Sequence, residues 1–109
     1  MKPKIKKDSN NNQPTEMYEA IMALETLDEC LDFFDDLMSA AELSAVEQRY
    51  QVARLLYEGH IYSEILEITG ASSATISRVN RSLIYGKGSY DIIFDRLKNK
   101  KNGSSGTEL

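Results

Sequence analysis

The residues whose types and spacing could do chemistry lie between Tyr62 and Ile84. Ser72, Ser73, Ala74, Thr75 and Ser77 are followed there by Arg78, Asn80 and Arg81. Short hydroxyl and methyl side chains let a helix come close to base edges, and arginines reach guanine or phosphate. The free amides and dipole of a helix N-terminus add an attraction for phosphate. From 70 to 90 the sequence holds no Asp or Glu, while Arg78, Arg81 and Lys87 are present. The pattern points to contact with double-stranded DNA. Ser73, Ala74 and Ser77 are the candidates for base edges; Ser72, Thr75, Arg78 and Arg81 are those for phosphate or guanine. Tyr62 and Tyr85 flank the segment, with packing as their default role.

Covalent and metal chemistry have no comparable support. The one histidine, His60, follows Gly59 in a turn without ligand-spaced neighbours, which reads as a surface residue. The one cysteine, Cys30, falls on an apolar stripe and reads as a buried small hydrophobe; it leaves no internal disulfide and no Cys-rich metal site. Asp28, Glu29, Asp32, Asp35 and Asp36 lack the spacing and central glycine of a calcium loop and read as a solvated helix face. There is neither a phosphate-cradling glycine loop nor a nucleophile–base arrangement. The sequence therefore predicts a protein that is not an enzyme and that needs no metal or cofactor.

A reading helix must be held by others, and the rest of the chain supplies them. Strand signals are absent, with no alternating β-branched runs and no Asn-Gly turn. Pro14 and Thr15 open a first helix, along which Met17, Ile21 and Leu24 recur at helical spacing. Thr26 with Glu29, and Ser39 with Glu42, form two Ser/Thr-x-x-Glu capping boxes, placing helix starts near Leu27 and Ala40. The second helix carries Leu27, Cys30, Leu31, Phe34, Leu37 and Met38. The third carries Leu43, Val46, Tyr50, Ala53, Leu56 and Tyr57 and stops at Gly59. A short helix from about Ser63 to Thr69 ends at Gly70, and Ser72 caps the next, Ser73 to Ile84. Two helices joined by a tight glycine turn over about 62–84 match a helix-turn-helix. Ile65, Ile76 and Val79 sit at the inward positions that would lock the pair. Gly86 and Gly88 break the chain again, and Ser89 caps a last helix with Ile92, Ile93, Phe94 and Leu97. The fold class is thus all-α, six short helices, over about 14–99. Lys- and Asn-rich residues 1–13 read as a flexible arm, and 100–109 as a flexible tail.

Length and charge bound the rest. A chain of 109 residues suits one domain, and no apolar run approaches the roughly 18 residues of a membrane helix. The start, MKPKIKKDSNNN, has no apolar core of a secretory leader, so the expected location is the cytoplasm. The net charge of −4 argues against nucleic acid only when averaged. Residues 13–48 hold ten carboxylates and no Lys or Arg, whereas residues 49–109 hold nine Lys and Arg against six acids. Lys2, Lys4, Lys6 and Lys7 give the arm a positive charge that could add a salt-sensitive contact with DNA. Phe33 and Phe34 with Leu31, Leu37 and Met38 cover more than one helix face, as expected of a helix buried in the core of a dimer.

The stretch from LSAVEQRYQVARLLYEG through TGASSATISRVNRSL, with LDECLDFFDDL upstream, resembles the Trp repressor superfamily, in particular its YerC/YecD group. The likeness runs over about residues 15–98. It implies a six-helix protomer intertwined with a second copy, and a DNA-binding transcriptional regulator whose two reading helices meet successive major grooves about 34 Å apart. In tryptophan-binding members two arginines sandwich the indole and a serine lines the same pocket; those positions match Arg49, Arg78 and Ser82. The departure is Val79, where the repressor has a glycine that leaves room for the indole. This implies that L-tryptophan is not the corepressor and leaves any other effector open. The plainer reading of Arg49 is a pair with Glu47 or with an acid of a partner chain. Glu64 and Glu67 stand where the family has basic residues on the first helix of the pair. They support the alternative function, a protein-interaction or scaffold module of the same fold that has lost DNA binding.

Overall fold

The computed structural model describes residues 14–108, with side chains described as far as residue 102; the Lys-rich arm, 1–13, lies outside the described residues. The elements are α1 (Glu16–Met22), α2 (Leu27–Leu37), α3 (Ala40–Tyr57), α4 (Tyr62–Thr69), α5 (Ser73–Tyr85) and α6 (Ser89–Glu108). No strand occurs among the described residues. All six predicted helices are present. Two details differ. Ser89 is the first residue of α6 rather than its cap, and the Gly88 carbonyl accepts from the Ile92 amide at 3.3 Å. The helical backbone of α6 also continues to Glu108, through a Lys-rich stretch with no proline to remove a donor from the ladder.

By contacts the chain divides into two units, Met1–Leu43 and Ser44–Leu109. In the first unit, local capping sets the helix starts. Thr15 Oγ1 donates to Glu19 Oε2 at 2.7 Å across the first turn of α1. The Glu29 amide donates to Thr26 Oγ1 at 3.1 Å, while the Glu29 carboxylate reaches back to the Glu25 amide at 2.8 Å. Neither α1 nor α2 contains a buried residue. Met22 is 83% and Leu27 73% exposed. Cys30 is half-buried, not enclosed as its place on the stripe predicts, on a helix none of whose residues is buried.

The box at the start of α3 closes in both directions. Ser39 donates its amide to Glu42 Oε1 at 2.9 Å, and the Glu42 amide donates to Ser39 Oγ at 3.2 Å. These bonds favour the ionised carboxyl and hold the Glu42 pKa below the usual 4.5. A depressed carboxylate pKa stabilises the fold above its unfolded value, and that contribution disappears as pH falls through the folded value. Wild type should therefore melt above Glu42→Gln at pH 7, with the difference vanishing in acid below the usual carboxylate range. Parallel thermal melts of the two proteins from pH 7 to pH 3 check this.

The second unit has a core of its own. Val52, Ala53 and Leu55 of α3, Ile65 of α4, Ala71, Ile76 and Val79 around and in α5, and Phe94 of α6 are buried together, with Leu56 and Tyr90 packed against them. The inward trio expected from sequence, Ile65, Ile76 and Val79, is 0%, 0% and 3% exposed. The face of α3 is rotated from expectation. Val52 and Leu55 join Ala53 inside, while Val46, Tyr50 and Tyr57 of the expected stripe stay open to solvent. The spacing correctly marked an apolar stripe, but that stripe is wider than the core it meets. α3 ends in a Schellman motif: the Gly59 amide donates to Leu56 O and the His60 amide to Leu55 O, both at 3.0 Å.

Candidate nucleic-acid interface

The site is built on the α4–α5 pair, and each end of each helix has a local cause. α4 begins after Ile61, whose side chain has no oxygen with which to cap. Glu64 supplies the charge instead, its Oε1 accepting from the Ile61 amide at 3.2 Å. The same oxygen lies 3.2 Å from His60 Nδ1, and His60 Nε2 is 3.9 Å from Glu58 Oε1. His60 is thus set between two carboxylates rather than alone at the surface. Glu64 is engaged by the N-terminus of its own helix, where a negative charge is favourable. That gives this acid a structural task unconnected with phosphate; Glu67 is exposed on the same helix.

The turn between the helices depends on Gly70, which adopts φ 73° and closes α4 through its amide to Leu66 O at 2.9 Å. That left-handed backbone favours glycine. Thr69 braces the turn from both sides. Its Oγ1 donates to Ile65 O at 2.7 Å and accepts from the Ala71 amide at 3.0 Å. Its carbonyl accepts from Gln48 Nε2 of α3 at 3.1 Å, tying the turn to the long helix. Replacing Gly70 by Ala should cost about 1–2 kcal/mol of stability, because the added Cβ strains the left-handed residue. A fall in the urea midpoint without a change in slope is the expected result.

α5 begins as the sequence predicts. Ser72 Oγ accepts from the Thr75 amide at 3.1 Å and donates to Thr75 Oγ1 at 3.1 Å. Ile76 and Val79 point inward, and Ser73, Ala74, Ser77, Arg78 and Arg81 are exposed. Ala74, Ser77, Arg78 and Arg81 line one shallow depression along the outer face. A floor of methyl and hydroxyl groups with two guanidiniums at the rim can accept a polyanionic edge. Ser72 and Thr75 bond each other at the helix start, which fixes the first turn of α5. The helix ends at Gly86, whose amide donates to Ser82 O at 2.9 Å; a side chain there would collide with that carbonyl.

Arg49 and Ser82 are exposed, and the depression that contains Arg78 includes neither of them. Val79 lies in the core cluster with Ile65 and Ile76. Tyr62 is 40% and Tyr85 81% exposed, so packing within the protomer does not account for Tyr85. Sequence reasoning missed Gln48, Thr69 and the capping role of Glu64. A glutamate three residues after a helix start was a visible signal, hidden because isoleucine is no capping residue. Gln48 left no signal, since its partner is a main-chain carbonyl 21 residues away. Among the described residues there is no group of three or more His, Cys, Asp or Glu arranged for a metal, and no helix long and apolar enough to cross a membrane.

Among the described residues six helices, with a capped, acid-free helix set behind a glycine turn on its partner, define an all-α protein of the helix-turn-helix class. The sequence model of the Trp repressor protein family matches residues 12–98, and the chain belongs to that family. It is 46% identical over 90 residues to YerC of Bacillus subtilis (strain 168), an uncharacterised protein, spanning 83% of this chain and 86% of that one. A TrpR-like protein from Eubacterium eligens has a crystal structure that superposes with a TM-score of 0.78 at 44% identity, covering 84% of this chain and 96% of the other. A Staphylococcus aureus structure, described as a candidate Trp repressor, gives 0.74 at 46% identity, covering 76% and 83%. The family is one of regulators, not enzymes.

Proposed function

We propose that the protein is a sequence-specific, DNA-binding transcriptional regulator that works as a homodimer in the cytoplasm and does not respond to tryptophan. The observation that carries this reading is the outer face of α5, where Ala74, Ser77, Arg78 and Arg81 line one depression on a helix held rigidly by Ile76 and Val79. In this reading Ser73, Ala74 and Ser77 meet base edges, while Ser72, Thr75, Arg78 and Arg81 hold phosphate or guanine. Family membership supports it, as does the engagement of Glu64 by its own helix end. Dimerisation is supported by the apolar side chains left open on α1 and α2, neither of which buries a residue. Arg49 and Ser82 are assigned no effector; in this reading Val79, a core residue, takes the space that an indole would need.

The experiment is a gel shift with fragments of the host genome at low and moderate salt. Binding to a defined fragment that survives excess competitor DNA is the expected result. Salt-labile binding to every fragment alike, or none, would favour the interaction module instead.

A further inference from the structure

One side-chain hydrogen bond stands apart. Among the described residues every other one joins positions at most four apart, but Gln48 Nε2 of α3 donates at 3.1 Å to the carbonyl of Thr69, 21 residues on. Gln48 and Thr69 are both half-buried. Thr69 is the last residue of α4, so its carbonyl has no partner within its own helix. The core joins the same elements through apolar side chains: Val52, Ala53 and Leu55 of α3 meet Ile65, Ile76 and Val79 of the pair. Such burial is non-directional. It resists separation of the elements but is nearly indifferent to a small swing of one over the other. A hydrogen bond prefers a narrow range of lengths and near-linear geometry, so it fixes direction as well as distance. Thr69 stands where that direction is passed on. Its Oγ1 accepts from the Ala71 amide at 3.0 Å, Ala71 is 1% exposed, and the next residue, Ser72, caps α5.

We infer that Gln48 is a positioning residue of the DNA interface: through the Thr69 carbonyl it sets the angle at which α5 is presented, and discrimination between sequences depends on it more than affinity for DNA as such. This role rests on the DNA-binding reading and deepens it. The split between discrimination and affinity follows from side-chain length. Ser77 lies four residues, about 6 Å, along α5 from Ser73, so a swing of about 10° about the helix start moves it by about 1 Å. Good hydrogen bonds tolerate only about 0.5 Å. Ser73, Ala74 and Ser77 are too short to make up the difference. Arg78 and Arg81 are long, exposed and flexible, and follow a phosphate over the same distance. Loosening α5 therefore costs base-edge contacts and spares phosphate contacts. Gln48 acts through Thr69 and need not touch DNA itself.

The test uses two variants of the full-length protein. Gln48→Met keeps the length of the side chain and removes the donor. Gln48→Glu keeps the shape and sets a carboxylate against the carbonyl. Fluorescence anisotropy at one salt concentration gives Kd for the defined fragment and for an unrelated duplex of equal length, at a temperature where circular dichroism shows each variant folded. In both variants the ratio of specific to unrelated affinity should fall at least about fivefold, the worth of one base contact or more. Gln48→Met should hold the unrelated duplex within about twofold of wild type. The added charge of Gln48→Glu weakens both affinities alike, so for it only the ratio is read. An unchanged ratio, even with a lower Tm, would make the bond a tie at a helix end and overturn its positioning role. Equal losses on both duplexes in Gln48→Met would do the same. The DNA-binding reading is judged on wild type alone. A wild type that selects no fragment overturns that reading and this role together, whereas variants as selective as a selective wild type overturn only this role. If Gln48→Met fails to fold, Gln48→Asn replaces it. It keeps the amide one methylene short of the carbonyl and should lose the ratio in the same way; an unchanged ratio refutes the positioning.

Discussion

Arg78→Ala combined with Arg81→Ala should weaken binding to the specific DNA fragment by at least about 100-fold, since one well-placed arginine–guanine or arginine–phosphate contact is worth about 1–3 kcal/mol. The salt dependence should change with it. Each phosphate contact adds about 0.9 to the slope of log affinity against log salt, and a dimer would present both arginines twice, so loss of four contacts lowers the slope by up to about 3.6. The two measurements separate the roles. A phosphate contact weakens all sequences alike, whereas a guanine contact relaxes preference at one base position of the site. Both arginines are exposed on α5, so the folded protein should be nearly indifferent to their loss, within about 0.5 kcal/mol each. Unchanged affinity and slope in a stably folded double variant would remove these residues from the interface. The depression they share with Ala74 and Ser77 would then need another ligand.

The reason α5 can serve this role lies in how little of it is left free to move. Its first turn is fixed by Ser72 and Thr75, its inner face by Ile76 and Val79, and the turn before it by Thr69, whose carbonyl is held from α3 by Gln48. A helix restrained at its start and along one side presents the opposite side as a preformed surface. Binding then orders few groups, and more of the contact energy is available for discrimination. The same restraint explains why the net charge of −4 is a poor guide to partners. Charge acts on DNA from the surface that approaches it, and within a Debye length of about 8 Å at physiological salt. The acids of 13–48 act elsewhere if α2 is spent on a second copy.

How much of this was legible beforehand follows from which forces are local. Caps are local, so Thr26, Ser39 and Ser72 announced the starts of α2, α3 and α5. The positive φ of Gly70 is likewise dictated within one turn. The inward trio Ile65, Ile76 and Val79 was legible because period fixes a helix face once the helix is known. The buried face of α3 was less so. Its apolar positions outnumber those that the core covers, and periodicity cannot say which flank meets that core and which is left open. Tyr50 and Tyr57 fell on the open flank for that reason. Contacts that depend on distant main-chain atoms, such as Gln48 to Thr69 O, leave no pattern at all. The outer residues of α5 were readable as a set by their chemistry and lack of acid; their arrangement as one depression required the structure.

Val79→Gly should be the most destabilising of the substitutions considered, although it restores the residue that tryptophan-binding repressors are expected to have there. The valine is 3% exposed and packed in the core cluster with Ile65 and Ile76. Removing its three side-chain carbons forfeits about 2–3 kcal/mol of burial and leaves a cavity. Glycine inside a helix costs a few tenths of a kcal/mol more than valine. The combined loss of about 2.5–3.5 kcal/mol corresponds to a fall in Tm on the order of 10–20 °C for a domain of this size. Val79→Ala separates the terms: it removes two of the three carbons and, as the better helix former, should spare about 1 kcal/mol or more of the glycine variant's loss. The position also decides the tryptophan question. A ligand that binds only the folded state raises Tm in proportion to its occupancy, so an indole site open in this protein would show as stabilisation by millimolar tryptophan. With valine built into the core at that point, wild type should melt at the same temperature with and without tryptophan. A dose-dependent rise would show that the indole is accommodated beside Val79, and that the chain has kept the response which its own core argues against.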